Sequence, residues 1–164
     1  MRMPLSDASK PIKVLAIVGL LISPWVFTQV AIALFAPDEK IESMPKCDLD
    51  SQNCAHLGGE ETYRMESSMA TLLEINYTEV WDKLIDYIDV NDGEILVESS
   101  TNSSYYIHFV EITSFWKFPD DIVIIITDSP DGCVIEMHSQ SRLGRGDLGV
   151  NPERLEQIHQ ALVT

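Results

Sequence analysis

The stretch Ser139-Gln-Ser-Arg-Leu-Gly-Arg-Gly-Asp-Leu-Gly-Val-Asn151 decides how the second half of this chain is read. Before it, Cys133, Ile135 and Met137 alternate with Val134, Glu136 and His138, the period-two pattern of a strand over Cys133 to Ser139. After it, Leu155, Ile158 and Leu162 form the apolar stripe of a terminal helix. Asn151 is the expected N-cap of that helix, with Pro152 and Glu153 suited to its first turn. Three glycines, two arginines and an aspartate join the two elements, as either a tight structural corner or an anion-binding loop.

Working back towards the N-terminus, Asp128-Ser-Pro-Asp-Gly132 is a strong turn signal, preceded by the β-branched run Ile122 to Thr127. That run is expected to be a strand central in the sheet or covered on both faces. Ser104 to Thr113 alternates again, with Tyr105, Ile107 and Phe109 on one face and Tyr106, His108 and Val110 on the other. A short strand is expected over Glu94 to Glu98. Val80, Trp81, Leu84, Ile85 and Ile88 give one apolar helix face, capped by Thr78 and ended by Asn91-Asp-Gly93. A first strand is expected over Met69 to Ile75. The fold class is therefore α+β, in the order β-α-β-β-β-β-α, with a mostly antiparallel sheet and two helices packed on one face.

The N-terminal part differs in kind. From Val14 to Ala36 there are 23 residues without a charge, a helix of about 35 Å against a hydrocarbon core of about 30 Å. Arg2, Lys10 and Lys13 precede this block, while Asp38, Glu39 and Glu42 follow it. The basic flank places the N-terminus in the cytoplasm and the body across the membrane, as a single-pass protein of the inner (cytoplasmic) membrane with a periplasmic or extracytoplasmic domain. A signal anchor is favoured over a cleaved signal peptide, because the block is longer than a usual signal-peptide core and Pro37 follows Ala36 directly. The resulting division is a cytoplasmic N-terminus at 1–13, a transmembrane helix at 14–36, a linker with a disulfide loop at 37–66 and an exported domain at 67–164.

Of the 11 Lys and Arg residues, three precede residue 14, and of the 26 acidic residues only Asp7 does. The remainder, eight basic against 25 acidic, carries a net charge of −17 and repels nucleic acid. Cys47 and Cys54 flank a polar, loop-like segment and read as a local disulfide in an oxidising compartment. The rival reading, a metal site adding His56, has a spacing that matches no common zinc pattern and supplies three ligands, so no metal is expected. Cys133, inside an apolar strand, is expected to be a buried thiol.

Candidate site residues come from three places. Arg142, Arg145, Asp147 and Arg154 suit an oxyanion pocket, or an internal network in which Asp147 pairs with Arg142 or Arg145. Asp120 and Asp121, as neighbours on a strand, point to opposite faces, and one carboxylate is expected to meet Arg142 or Arg145. Phe115, Trp116 and Phe118 cluster between two strands, either as an interaction surface facing a partner or membrane, or as the closed end of a core. No nucleophile elbow or phosphate-binding glycine loop is present, and no cofactor is expected.

Three segments are similar to the domain of unknown function 1499 family. They are Cys47 with Asn53-Cys54, the run Tyr106 to Asp121, and the run Ile135 to Arg154 with its Ser-Arg-x-Gly-x-x-Asp-x-Gly-x-Asn-x-x-Arg pattern. Gln52, Ala55 and His56 depart from the family's first motif, and His138 stands where the third commonly has arginine. The resemblance spans roughly residues 47 to 162 and implies a fold without an assigned chemistry. The element order also loosely resembles a small helix-grip or TATA-box-binding-protein-like fold, and such folds can hold apolar ligands between helix and sheet, although fold does not fix function. The expected function is a membrane-tethered, non-enzymatic module at the cell envelope that binds a protein partner or a small apolar ligand. The alternatives are an enzyme using the Arg142/Arg145/Asp147 loop on an anionic substrate, and an accessory subunit of a membrane complex.

Overall fold

A computed structural model describes residues 10–164; the first nine residues of the flank at 1–13, including Arg2, lie outside it. Helix α1 (Lys10–Phe35) begins four residues before the uncharged block and is long and apolar enough to cross a membrane. Pro24, in the helix interior, has no N–H to give to the carbonyl of Leu20 one turn earlier. The Ser23 hydroxyl donates to that carbonyl instead, at 2.9 Å, and Thr28 donates to the carbonyl of Pro24 at 2.9 Å. The helix therefore keeps its polar groups satisfied within itself at the point where proline would break it.

The body is a six-stranded sheet made entirely of antiparallel pairs. Its strands are β1 (Cys54–Leu57), β2 (Leu72–Leu73), β3 (Glu94–Ser100), β4 (Ser104–Ile112), β5 (Pro119–Ser129) and β6 (Gly132–Ser141), in the order β1-β6-β5-β4-β3. The short β2 also pairs with β6, beyond the end of β1, so the two together form one edge. Strand β1 lies inside the stretch expected to be a linker. Within it Ala55 and Leu57 face the core while Cys54 and His56 face the other way, and all four are buried. The expected strand at Met69 to Ile75 shrinks to two residues.

Helices α2 (Tyr77–Val90) and α3 (Val150–Val163) pack on one face of the sheet. Val80, Leu84 and Ile88 of α2 and Leu155, Ile158 and Leu162 of α3 meet Ile107, Phe109, Ile122, Ile124, Ile126, Ile135 and Met137. Cys133 is buried in this core, and burial, then Asp128, pushes its thiol pKa up. Both caps differ from expectation. Asn76 caps α2, accepting from the Thr78 N–H at 2.9 Å, because the helix starts at Tyr77. The residue before α3 is Gly149, in a left-handed conformation (φ 90°) that glycine adopts without a side-chain clash. Asn151 falls inside that helix, fully buried.

The second face of the sheet is polar and is crossed by the chain that follows α1. Ala36 is buried there, the Ile41 N–H donates to His108 Nδ1 at 3.1 Å, and Tyr106 Oη donates to the Ile41 carbonyl at 2.6 Å. The disulfide Cys47–Cys54 (Cα–Cα 5.7 Å) ties the end of this strap to the start of β1.

Candidate functional site

The glycine loop sends its charged groups to separate places. Arg142 gives two hydrogen bonds of 2.8 Å to Asp121 and pairs with Asp38 of the strap, all on the polar face. Asp121 also accepts from His108 Nε2 at 2.8 Å; with Nδ1 taken by the Ile41 N–H, His108 is the Nε2–H tautomer. Burial pushes the Asp121 carboxyl up, but hydrogen bonds from His108 and Arg142 outweigh it and hold its pKa below the usual range.

Asp147 goes the other way. It takes a two-pronged ion pair from Arg64, at 3.0 and 2.7 Å, and accepts from the Gly149 N–H and the Asn151 side chain. The expected partners were Arg142 or Arg145; Arg64, 83 positions away, holds the carboxylate because Arg142 is engaged with Asp121. Burial raises the Asp147 pKa, yet Arg64, Gly149 and Asn151 bring it below the carboxylate norm. Asn151 joins the corner together, donating to the Asn53 carbonyl at 2.9 Å and accepting from Ser139 at 2.5 Å. Arg154 is buried on the core side, bonded to Glu111 and Asp120 at 2.8 Å each. Asp120 and Asp121 thus serve opposite faces and different arginines. Arg145 is exposed and makes no hydrogen bond or ion pair among the described residues. Arg142, Arg145 and Asp147 do not converge on a common point, so the loop offers no shared oxyanion pocket.

On the polar face, His56 and His138 are direct cross-strand partners and lie against the disulfide. Burial, reinforced by His56, lowers the pKa of His138 to about 4 and keeps it neutral at ordinary pH. A cavity of about 290 Å³ opens beside this cluster, lined by Met44, Cys47, His56, Tyr63 and Glu136 among others.

The third feature is at the end of the sheet where β4 passes to β5. Phe115 and Trp116 sit at the tip, edge to face with ring centroids 5.0 Å apart, and both are exposed. Together with Phe118 they form one wall of a groove of about 340 Å³; Leu143, Leu148 and Val150 of the glycine loop form the other. Its surface is mostly carbon, with Thr113, Asp120, Ser141 and Asp147 at the lining as polar exceptions. One oxygen of Asp120, Oδ1, is buried with no hydrogen-bond partner among the described residues. Leu148 is fully exposed and sits at φ 55°, a conformation unfavourable for leucine. Asp147 maintains it by accepting from the amides on its far side, Gly149 and Asn151.

Helix α1 runs past this end. Trp25 Nε1 donates to the Phe115 carbonyl at 3.0 Å, and Gln29 Nε2 donates to the Trp116 carbonyl at 2.8 Å. These two are one turn apart on α1, so they grip successive residues of the tip. Sequence reasoning found the tip aromatics and the loop but not Trp25, Gln29, Arg64 or Asn53; the polar Gln29 inside an apolar helix was the available signal for the first pair.

The site therefore combines an ion-paired corner, a buried histidine–disulfide face and an apolar groove beside a long apolar helix. No curated protein and no solved structure matches the chain. The family model for "Protein of unknown function (DUF1499)" matches residues 42–162, which takes in the strap from Glu42, the whole sheet and all but the last residue of α3, and the chain belongs to that family.

Proposed function

We propose that this protein is a membrane-tethered binding module that takes an apolar ligand, of the acyl-chain type, in the groove between the β4–β5 tip and the glycine loop. The observation that carries this reading is the pair of hydrogen bonds from Trp25 and Gln29 of α1 to the tip. If α1 crosses a bilayer, these bonds bring the groove to the hydrocarbon rather than to open water. They also provide partners for the two side-chain N–H donors that the helix would otherwise expose to lipid.

The chemistry of the groove fits. Apolar side chains from two loops face each other, and the strained, exposed Leu148 forms part of its rim. An exposed leucine held in an unfavourable backbone conformation has a use when something apolar covers it. The alternative of an enzyme working through Arg142, Arg145 and Asp147 has less support, because Asp121 and Arg64 engage Arg142 and Asp147 respectively.

The test is native mass spectrometry of the full chain purified in mild detergent, with a defined phospholipid added. One lipid should remain bound to the wild type. Leu148→Asp should lower its affinity about 10- to 100-fold, the worth of a buried leucine contact of roughly 1.5–3 kcal/mol. Aspartate accepts the left-handed conformation better than leucine does, so the melting temperature should not fall. Equal lipid occupancy in both proteins would refute the groove as the binding site.

A further inference from the structure

Asp120 is the most deeply buried residue at the lining of the apolar groove, 1% exposed. The other polar side chains there are already matched. Thr113 Oγ1 accepts from the Phe118 N–H at 2.9 Å, Ser141 Oγ accepts from the Asn151 side chain at 3.0 Å, and Asp147 holds Arg64. Asp120 Oδ2 accepts from Arg154 at 2.8 Å, but Oδ1 is buried without a hydrogen-bond partner among the described residues. A buried oxygen left unmatched costs more than an average hydrogen bond gains, so this atom calls for a donor. Arg154 takes up the core side of Asp120, and the groove is the open space that the residue borders.

The charge around Asp120 specifies the kind of donor. Glu111 is its direct partner across β4 and β5, and Arg154 bridges the two carboxylates at 2.8 Å each. One guanidinium against two carboxylates leaves a formal charge of −1, among side chains that are at most 13% exposed. Away from water that excess is poorly screened. Arg64, the other guanidinium of this corner, is committed to Asp147. Glu111 Oε1 is also unmatched, but it has the Tyr87 hydroxyl nearby; burial, then the Glu111 charge, pushes that phenol's pKa up. Asp120 is the carboxylate left for a ligand. A hydroxyl would satisfy its hydrogen bond alone, whereas a primary ammonium satisfies bond and charge together.

We propose that the groove selects an acyl-chain lipid bearing a primary ammonium, which donates to Asp120 Oδ1 while the chain lies against Phe118, Leu143 and Leu148. This rests on the groove being the ligand site and adds the chemistry of the ligand's head. A quaternary ammonium carries the same charge but has no N–H, and its methyl groups keep it from the oxygen. A carboxylate head meets like charge. The chemistry recognised is shared by the ethanolamine head of a phospholipid and by a single-chain amine.

The experiment offers the full chain, in a non-ionic detergent at pH 7, lipid pairs that differ only at nitrogen. Dioleoyl phosphatidylethanolamine is set against dioleoyl phosphatidylcholine, and hexadecylamine against hexadecyltrimethylammonium, with occupancy read by native mass spectrometry. Chains and charge are equal within each pair, so general attraction to the acidic surface cancels. The primary amine should bind about 10- to 100-fold tighter in at least one pair, and the pair that shows it identifies the source. Asp120→Asn should remove the preference; Glu111 still pairs with Arg154, and the melting temperature reports whether the variant is folded. Leu148→Asn, which accepts the left-handed backbone, should weaken both members of a pair alike and keep the preference. Equal binding of primary and quaternary amines by wild type would overturn this inference and leave the groove reading standing. So would a preference that survives in folded Asp120→Asn. Binding of none of the four probes would overturn both.

Discussion

Asp147 closes the glycine loop by engaging four groups at once. Its carboxylate holds Arg64, accepts from the amides of Gly149 and Asn151 at the start of α3, and takes the Asn151 side chain. The carboxylate thus supplies the negative charge that the start of α3 favours, where Gly149 has no side chain to give. Asp147→Asn keeps the shape but leaves the Arg64 guanidinium without its counter-ion, and should cost about 2–4 kcal/mol at pH 7. The sign with pH follows from the lowered pKa. Asp147 contributes in full above the unfolded value of about 3.9, and the contribution is lost as the pH falls through the lower folded value. The gap between wild-type and variant stability should therefore be wide at pH 7 and should narrow only below about pH 4, measured by chemical unfolding followed by circular dichroism. A gap that closed between pH 7 and pH 5 would assign the effect to another group.

At the scale of elements, α1 is attached to the sheet by a short polar seam rather than by an apolar interface. Its side chains are mostly exposed, and the seam includes two hydrogen bonds to the β4–β5 tip. Each such bond is worth about 1 kcal/mol. Trp25→Phe with Gln29→Leu should therefore raise backbone deuterium exchange at residues 113–118 about 5- to 30-fold, leaving β5 and β6 unchanged. Uniform exchange in both proteins would mean the seam does not hold the tip.

The elements themselves were largely legible in the sequence, because β4, β6 and both body helices carry a period, β5 is a β-branched run, and turn residues mark the ends of most of them. Strand β1 was not: Cys54–Leu57 has two core residues in four, set among polar ones, and its strand character comes from pairing with β6. Caps moved by two residues where neighbouring polar side chains compete, as Asn76 does with Thr78. Alternation put Asp120 and Asp121 on opposite faces correctly. It could not name Arg64 as the partner of Asp147, or set Trp25 beside Phe115, since those contacts join segments 83 and 90 positions apart.

For the whole molecule the decisive quantity is the depth of the tip along α1. Trp25 and Gln29 lie ten and six residues before Phe35, about 15 and 9 Å along the helix axis. If Phe35 marks the boundary of a hydrocarbon core of about 30 Å, the tip reaches well into one leaflet. The acidic body would then stay in water while Phe115 and Trp116 meet lipid, a division that agrees with their exposure and with a charge of −17 beyond residue 36. The β3–β4 turn is at the opposite end of the sheet, some nine residues along β4 and so about 30 Å from the tip. Nitroxide labels at Phe115→Cys and Asn102→Cys separate the two ends, since Cys133 is buried and Cys47 and Cys54 are bonded to each other. In bilayers, the label at 115 should relax with dissolved oxygen and be shielded from a water-soluble nickel chelate, while the label at 102 should show the reverse. Water-like relaxation at both positions would mean that the tip stands clear of the bilayer, and the groove would then have to draw its ligand from solution.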